Sequence, residues 1–398
     1  MNREDFPILK NNIVYLDSGA TTLKPRCVID SVVDYYSNYS ANAHRGDYDI
    51  SLRVNMAYEG VRGKVKDFIN ASLCEEIIFT KGTTESLNMV VFGYMAKYLK
   101  EGDEVLLSKS EHASNILPWI VLSKKIGIVI KYVSLEEDYS LSVEKIRSSI
   151  TSKTKVISLA HITNVIGDVR DIESIGKLCF DNNILFVVDA AQSIGHMKID
   201  VVKSNISFLA FSAHKMLGPT GIGVLYGKYD LLTSMDVLNY GGGMNSYFEE
   251  DNSYELKDVP FRFEAGTQNI AGVIGLGSAI DYLNSIGLEK IHEYELELKK
   301  FAVSEIEKIP NINIYNKNSD SGILVFNIDK VFSQDTAIFL NGFNICVRSG
   351  NHCAKILKDE IGITNTCRAS FYFYNTKEEV LKLVEALKRQ DEVYDNII

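Results

Sequence analysis

The sequence predicts an α/β fold, a parallel or mostly parallel sheet covered by helices on both faces, followed by a smaller α+β unit. Three observations carry this. Between Glu76 and Asp189, short apolar β-type segments alternate with helical ones, the pattern of a sheet built from crossover connections. The run Ile184 to Asp189, ILFVVD, is apolar and β-branched until its final carboxylate, as in a strand buried on both faces. Near Ile286 the composition shifts, and the strands and helices beyond it interleave differently. At 398 residues the chain is too long for one small core and suits a large domain plus a smaller one.

In order, Ile13 to Asp17 is a short strand and Ser18 to Thr22 the turn after it. Two amphipathic helices follow, Pro25 to Tyr39 and Leu52 to Ile69, separated by the polar link Asn42-Ala43-His44-Arg45-Gly46, where His44 by its context alone is a surface histidine. The alternation then runs through strands Glu76 to Thr80, Glu104 to Ser108, Val129 to Val133, Val156 to Ala160 and Leu185 to Asp189. Its helices start at Thr83, run past Pro118 and cover Ile172 to Asp181. An apolar segment at Phe208 leads into Ser212-Ala213-His214-Lys215 and a glycine-rich turn to Gly223. From Tyr240 to Asp258 the chain is irregular and acidic, a long excursion. Helices follow to Leu283 and from Leu288 to Ile309. The last part holds strands Ile323 to Asn327, Ile345 to Arg348 and Cys367 to Tyr374, with helices Gln334 to Leu340 and Lys377 to Arg389.

Composition is that of a soluble globular protein, 46% hydrophobic and 24% charged. A formal net charge of -10 without a basic tract argues against nucleic acid. The start of the chain lacks a signal-peptide pattern and no apolar run is long enough for a bilayer, so no membrane association and a cytoplasmic location are expected. Six cysteines without CxxC spacing suggest neither a zinc ribbon nor a disulfide framework. Most are expected to be small buried hydrophobes.

The candidate chemistry sits at strand ends, where α/β folds bind ligands. Lys215, between an apolar strand and a rigid turn, is a candidate Schiff-base lysine, because lost solvation lowers an amine's pKa and frees it as a nucleophile. Ser212 and His214 beside it can donate to a phosphate; the alternative is a surface Lys–His pair. Asp189 ends a buried strand and needs a partner, a role the protonated ring nitrogen of pyridoxal phosphate (PLP) would fill. Gln192 could meet that ring's phenolic oxygen; the alternative for Asp189 is a helix cap. The hydroxyls of Thr83 and Thr84 suit a phosphate at a strand-to-helix junction, or serve as plain caps. His112 could lay its ring on a planar cofactor, or simply bond its own loop, and Asn164 offers an amide. Arg348-Ser349-Gly350-Asn351-His352-Cys353 makes Cys353 the best reactive thiol by context, since cationic neighbours favour the thiolate. A buried structural thiol is its alternative. Arg368 suits a substrate carboxylate, or a surface salt bridge.

Together, HRG at His44, FTKGTTES at Phe79, EHASN at Glu111, HITNVIG at His161, VDAAQ at Val188, FSAHKMLGPTGIGVLYG at Phe211, FEAGT at Phe263, RSGNHC at Arg348 and CRAS at Cys367 resemble the SufS/Csd-type cysteine desulfurases in order and spacing. These are fold-type I, class V aminotransferase-like PLP enzymes. The likeness runs over nearly the whole chain, and RSGNHC is similar to the R-x-G-H-H-C form of the SufS branch rather than the longer NifS/IscS loop. It implies a large PLP-binding domain at 21–286, with a mostly parallel seven-stranded sheet between helices. A small α+β domain at 1–20 and 287–398 would carry the cysteine loop. It further implies that Lys215 holds PLP as a Schiff base, Asp189 pairs with the pyridine nitrogen, Gln192 meets the phenolic oxygen and His112 stacks on the ring. Thr84, Ser212 and His214 would hold the phosphate, with Thr267 from a second subunit of a homodimer. Asn164, Arg348 and Arg368 would orient L-cysteine, with His44 at the pocket. Cys353 would take the sulfur as a persulfide, leaving L-alanine, and pass it to a SufE- or SufU-like acceptor for iron-sulfur cluster assembly. A selenocysteine lyase would share nearly all these residues, and a non-catalytic sulfur-transfer scaffold is a further alternative. Asn351 and Ala113 stand where the family often has histidines, and Asn351 removes a proton carrier beside Cys353.

Overall fold

The computed structural model describes residues 3–44 and 46–394; Arg45 of the HRG motif lies outside the described residues. Its main sheet has seven strands in the order Ile77–Thr80, Gly223–Gly227, Phe208–Ser212, Leu185–Asp189, Thr154–Ala160, Glu104–Ser108, Val129–Val133. All run parallel except Gly223–Gly227, which is antiparallel to both neighbours. The expected mostly parallel sheet is therefore present. The antiparallel strand falls in a stretch whose glycines mark a turn by sequence. Its backbone leaves Ser212, makes one helical turn at Ala213–Lys215 and returns with Gly223 opposite both Ser212 and Thr80.

Register sets the rest of that edge. Asp189 lies beside Ala160 and Ala210, so the carboxyl ends of the central strands finish level with one another. Helices cover both faces, and Ile270–Ile286, with apolar residues all round, is buried along most of its length. Asn269 caps it by accepting the Gly272 N–H at 2.9 Å. Among the described residues no single helix is both long and apolar enough to cross a membrane.

A second, antiparallel sheet runs Ile312–Ile314, Ile323–Ile328, Thr366–Ser370, Arg348–Gly350. Leu298, Ala302, Leu383 and Leu387 from helices Leu288–Ile306 and Lys377–Lys388 close its core. The single strand expected over Ile345 to Arg348 is broken. Ile345–Cys346 pairs in parallel with Val14–Tyr15, whereas Arg348–Gly350 joins the four-stranded sheet and sets Arg348 directly opposite Arg368. The excursion after Tyr240 is likewise less irregular than its composition suggests: Asn245–Phe248 and Tyr254–Leu256 form an antiparallel hairpin. Acidic residues at its tip hid the alternation. The cysteines correct another expectation, since only Cys179 and Cys367 are buried while Cys27 and Cys353 are exposed and Cys74 and Cys346 are half-buried.

Candidate active site

A cavity of about 230 Å³ opens at the level strand ends. Asp189 and Lys215 both line it. Burial raises the Asp189 carboxyl to about 6, against the pull of the Ala191 N–H and the Lys215 charge. Its Oδ1 accepts that N–H at 2.9 Å, and among the described residues it makes no ion pair. Burial also lowers the Lys215 ammonium to about 8; Asp189 opposes the shift, while Arg368 and Arg348 add to it. The amine is thus a base poised near neutral pH. Acylation of cofactor-free protein, followed by mass spectrometry, is expected to label Lys215 with a midpoint near pH 8. In Asp189→Asn the midpoint should fall, because the opposing negative charge is gone. A midpoint above pH 10 in the wild type would refute the desolvation account.

One end of the cavity is lined by donors. Gly82 adopts φ 151°, and a Cβ there would lie 3.1 Å from Ser212 Oγ. This close approach lets the Thr83 N–H reach Ser212 Oγ at 2.8 Å, while the Thr84 and Ser114 hydroxyls pair at 2.8 Å. His214 shares this wall, its imidazole lowered to about 4 by burial and then by Lys215. The peptide before Lys215 is clamped from the N-terminal segment. The His214 carbonyl accepts from Thr22 N at 2.9 Å, Thr21 Oγ1 at 3.1 Å, Thr22 Oγ1 at 3.0 Å and Lys24 Nζ at 3.0 Å.

His112, which also lines the cavity, accepts the Ser114 N–H on Nδ1 at 3.1 Å, and burial followed by the charges of Lys215, Arg348 and Arg368 lowers it to about 4. Its ring is neutral at physiological pH. Gln192 donates from Nε2 to the Gly19 carbonyl at 2.8 Å, which leaves its oxygen uncommitted to that bond. Behind this wall the buried pair Glu111 and Arg170 ties the His112 loop to Ala160, with Arg170 also donating to Ser110 Oγ at 2.8 Å.

The opposite wall comes from the antiparallel sheet. Arg348 and Arg368 both line the cavity, but Arg368 is a buried cation rather than a surface one, at 2% exposure. Asn164 donates from Nδ2 to the His352 carbonyl at 2.6 Å, and its buried Oδ1 has no partner among the described residues. Cys353 itself is exposed and stands outside the cavity's lining, next to His352, which belongs to it. His352 and Cys353 occupy left-handed backbone at φ 51° and 59°, uncommon for two successive non-glycine residues. That turn is held by Cys353 N–H to Asn351 Oδ1 at 3.1 Å, Ala354 N–H to the Asn351 carbonyl at 2.9 Å, Ala113 N–H to the Cys353 carbonyl at 2.8 Å, and the Asn164 bond. The His352 ring meets Thr366, its Nε2 at 3.0 Å from Oγ1, and burial lowers it to about 3.

Two candidates lie apart. Thr267 is exposed in a neighbouring cleft of about 560 Å³, shared with Tyr58, Lys81 and Asn239. His44 pairs with Glu59 at 3.2 Å beside another cleft of about 290 Å³. They belong to one surface: Glu59 also holds Arg62, whose buried guanidinium grips Glu264 of the FEAGT segment at 2.8 Å. Residues not singled out from sequence also face the cavity, notably Gly19, Ala20, Ser114 and His352. The Ser18-Gly19-Ala20-Thr21-Thr22 turn was the sequence signal for Gly19 and Ala20, while Ser114 and His352 lie in the EHASN and RSGNHC segments.

Comparison with known proteins agrees with this geometry. A probable cysteine desulfurase of Halalkalibacterium halodurans is 41% identical over 397 residues, covering 98% of each chain. The apo structure of a cysteine desulfurase from Thermococcus onnurineus NA1 superposes with TM-score 0.93 at 38% identity, over 98% of this chain and 96% of that one. The cysteine desulfurase CsdA of Escherichia coli does so with TM-score 0.92 at 36% identity, over 98% of each chain. The fold is that of the fold-type I PLP enzymes. With the class-V aminotransferase profile matching residues 14–383 on top of these likenesses, the chain belongs to the aminotransferase class-V family.

Proposed function

We propose that this enzyme is a cysteine desulfurase that works with bound PLP and carries the sulfur on Cys353. The observation that carries the proposal is that Lys215 and Asp189 line one cavity, each within reach of the other's charge, with the Cys353 turn fastened to a residue of that lining. The residues fit PLP: a buried carboxylate without an ion pair suits a pyridinium, and an amine of lowered pKa suits an aldehyde. The Thr84, Ser212 and His214 wall suits a phosphate. When bound, that cofactor supplies an aldehyde for the substrate amine and a ring that accepts electrons from the α-carbon.

The chain's own groups do the rest. Arg368 holds the substrate carboxylate, with Arg348 and Asn164 beside it. Lys215 Nζ takes the α-proton, and Asp189 keeps the pyridine nitrogen protonated. Gln192 meets the phenolic oxygen and the neutral His112 ring covers the face. The Cys353 thiolate attacks the substrate sulfur: an S–S bond forms, the C–S bond breaks, and cysteine plus thiol become alanine plus persulfide. A SufE- or SufU-like protein then accepts the sulfur for iron-sulfur cluster assembly; the exposure of Cys353 supports that transfer.

Thr267 completes the phosphate site from the second subunit of a homodimer, which its position outside this chain's own cavity supports, and His44 belongs to the substrate pocket. The large PLP-binding domain spans 21–286, and the small one, 1–20 and 287–398, carries the cysteine turn. Incubation with L-cysteine should yield alanine and Cys353-bound persulfide in equal amounts on the first turnover, and excess alanine only once an acceptor is added. Alanine without persulfide would reject the proposal. Faster turnover of selenocysteine than of cysteine would make the enzyme a selenocysteine lyase instead.

A further inference from the structure

Asp17 has no part in the scheme above, yet it is the only carboxylate among the described residues that pairs with Arg368, at 3.2 Å from Oδ1 to Nη2. The two are 351 positions apart in sequence. They meet because the chain after Val14–Tyr15 continues alongside Ser370 through a parallel bridge at Asp17. Arg368 donates from Nη1 to the Asn164 carbonyl at 2.7 Å, so each terminal nitrogen has one fixed acceptor on a different segment. Gly19 packs against the same guanidinium, and a Cβ there would come within 3.1 Å of Cζ and Nη2. An arginine side chain is otherwise mobile, and its planar fork binds a carboxylate well only in a fixed plane. Asp17 also feels the charges of Arg348 and Lys215, the other cations lining the cavity.

We propose that Asp17 is a positioning residue: it fixes the plane of the Arg368 guanidinium and thereby sets the preference for α-amino acids over simple amines. The inference rests on the assignment of Arg368 to the substrate carboxylate. It makes a prediction opposite to simple electrostatics. Removing a negative charge beside the pocket should favour an anionic ligand, whereas losing the clamp should weaken it.

The test uses the PLP-loaded enzyme, titrated with L-alanine and with ethylamine, which lacks the carboxylate. Asp17→Ala is expected to weaken L-alanine roughly tenfold, leave ethylamine within about twofold, and raise KM for L-cysteine with kcat nearly unchanged. Asp17→Asn, which keeps the shape and one acceptor oxygen, should show a smaller loss of the same kind, and it carries the test if the alanine variant does not fold. In Arg368→Ala the further change Asp17→Ala should cost nothing more, since the two act as one unit. Unchanged or tighter L-alanine binding in both Asp17 variants, or an equal loss for ethylamine, overturns the inference alone. Unchanged L-alanine binding in Arg368→Ala overturns the Arg368 assignment and the inference with it.

Discussion

Lys215→Ala is expected to lower alanine formation from L-cysteine by at least about 10³-fold, because one substitution removes both the covalent attachment and the group that moves the α-proton. A positioned base alone contributes about 10²–10⁴-fold. Stability should change little. Lys215 Nζ makes no ion pair among the described residues, so truncation breaks none, and the carboxyl of Asp189, already raised by burial, can take up a proton when the nearby charge is gone. Single-turnover measurement of alanine, set beside the melting temperature, checks both halves. Activity within about tenfold of the wild type in a well-folded Lys215→Ala protein would remove this lysine from the chemistry.

Cys353→Ala should abolish persulfide and lower alanine formation by at least about 10²-fold, while L-alanine still binds. That split follows from placement. Cys353 is exposed and outside the cavity lining, whereas Arg368, Asn164, Asp189 and Lys215 line it. The backbone bonds from Ala113 and to Asn351 do not involve the thiol and survive the change. Mass spectrometry of the intact protein after cysteine, together with titration by L-alanine, separates sulfur capture from binding. Persulfide formed at the wild-type rate on another cysteine would reassign the nucleophile.

Asn351 illustrates how context alters a sequence difference. By sequence it is the loss of a proton carrier beside the thiol; in three dimensions its Oδ1 accepts the Cys353 N–H and stabilises a left-handed pair. Asparagine suits such turns because its short side chain folds back on the following backbone. His352, the remaining imidazole of the loop, is buried and held near neutral form by that burial. Neither neighbour of Cys353 therefore offers a proton at physiological pH.

Asp189, Ser212 and Lys215 were legible because a buried strand ending in a polar group is a local pattern, and parallel sheets bring such ends to one edge. Arg348 and Cys353 were legible from their cluster, although a one-dimensional pattern could not show that the thiol stands outside the cavity while His352 lines it. The strand Gly223–Gly227 was hidden by glycines that read as a turn, and the 245–256 hairpin by the acidic residues between its strands. In both, pairing with a neighbour overrode weak local preference.

The alternation of strands and helices between Glu76 and Asp189, the strand-end lysine and aspartate, and the reactive-cysteine cluster are determined by the sequence alone, since each depends on residues adjacent along the chain. Tertiary structure decided which distant groups meet: Asp17 with Arg368, the N-terminal clamp on the His214 carbonyl, and the separation of His44 and Thr267 from the cavity. It also decided the depressed basicity of Lys215 and the raised pKa of Asp189, because both come from the loss of water around groups that only folding encloses.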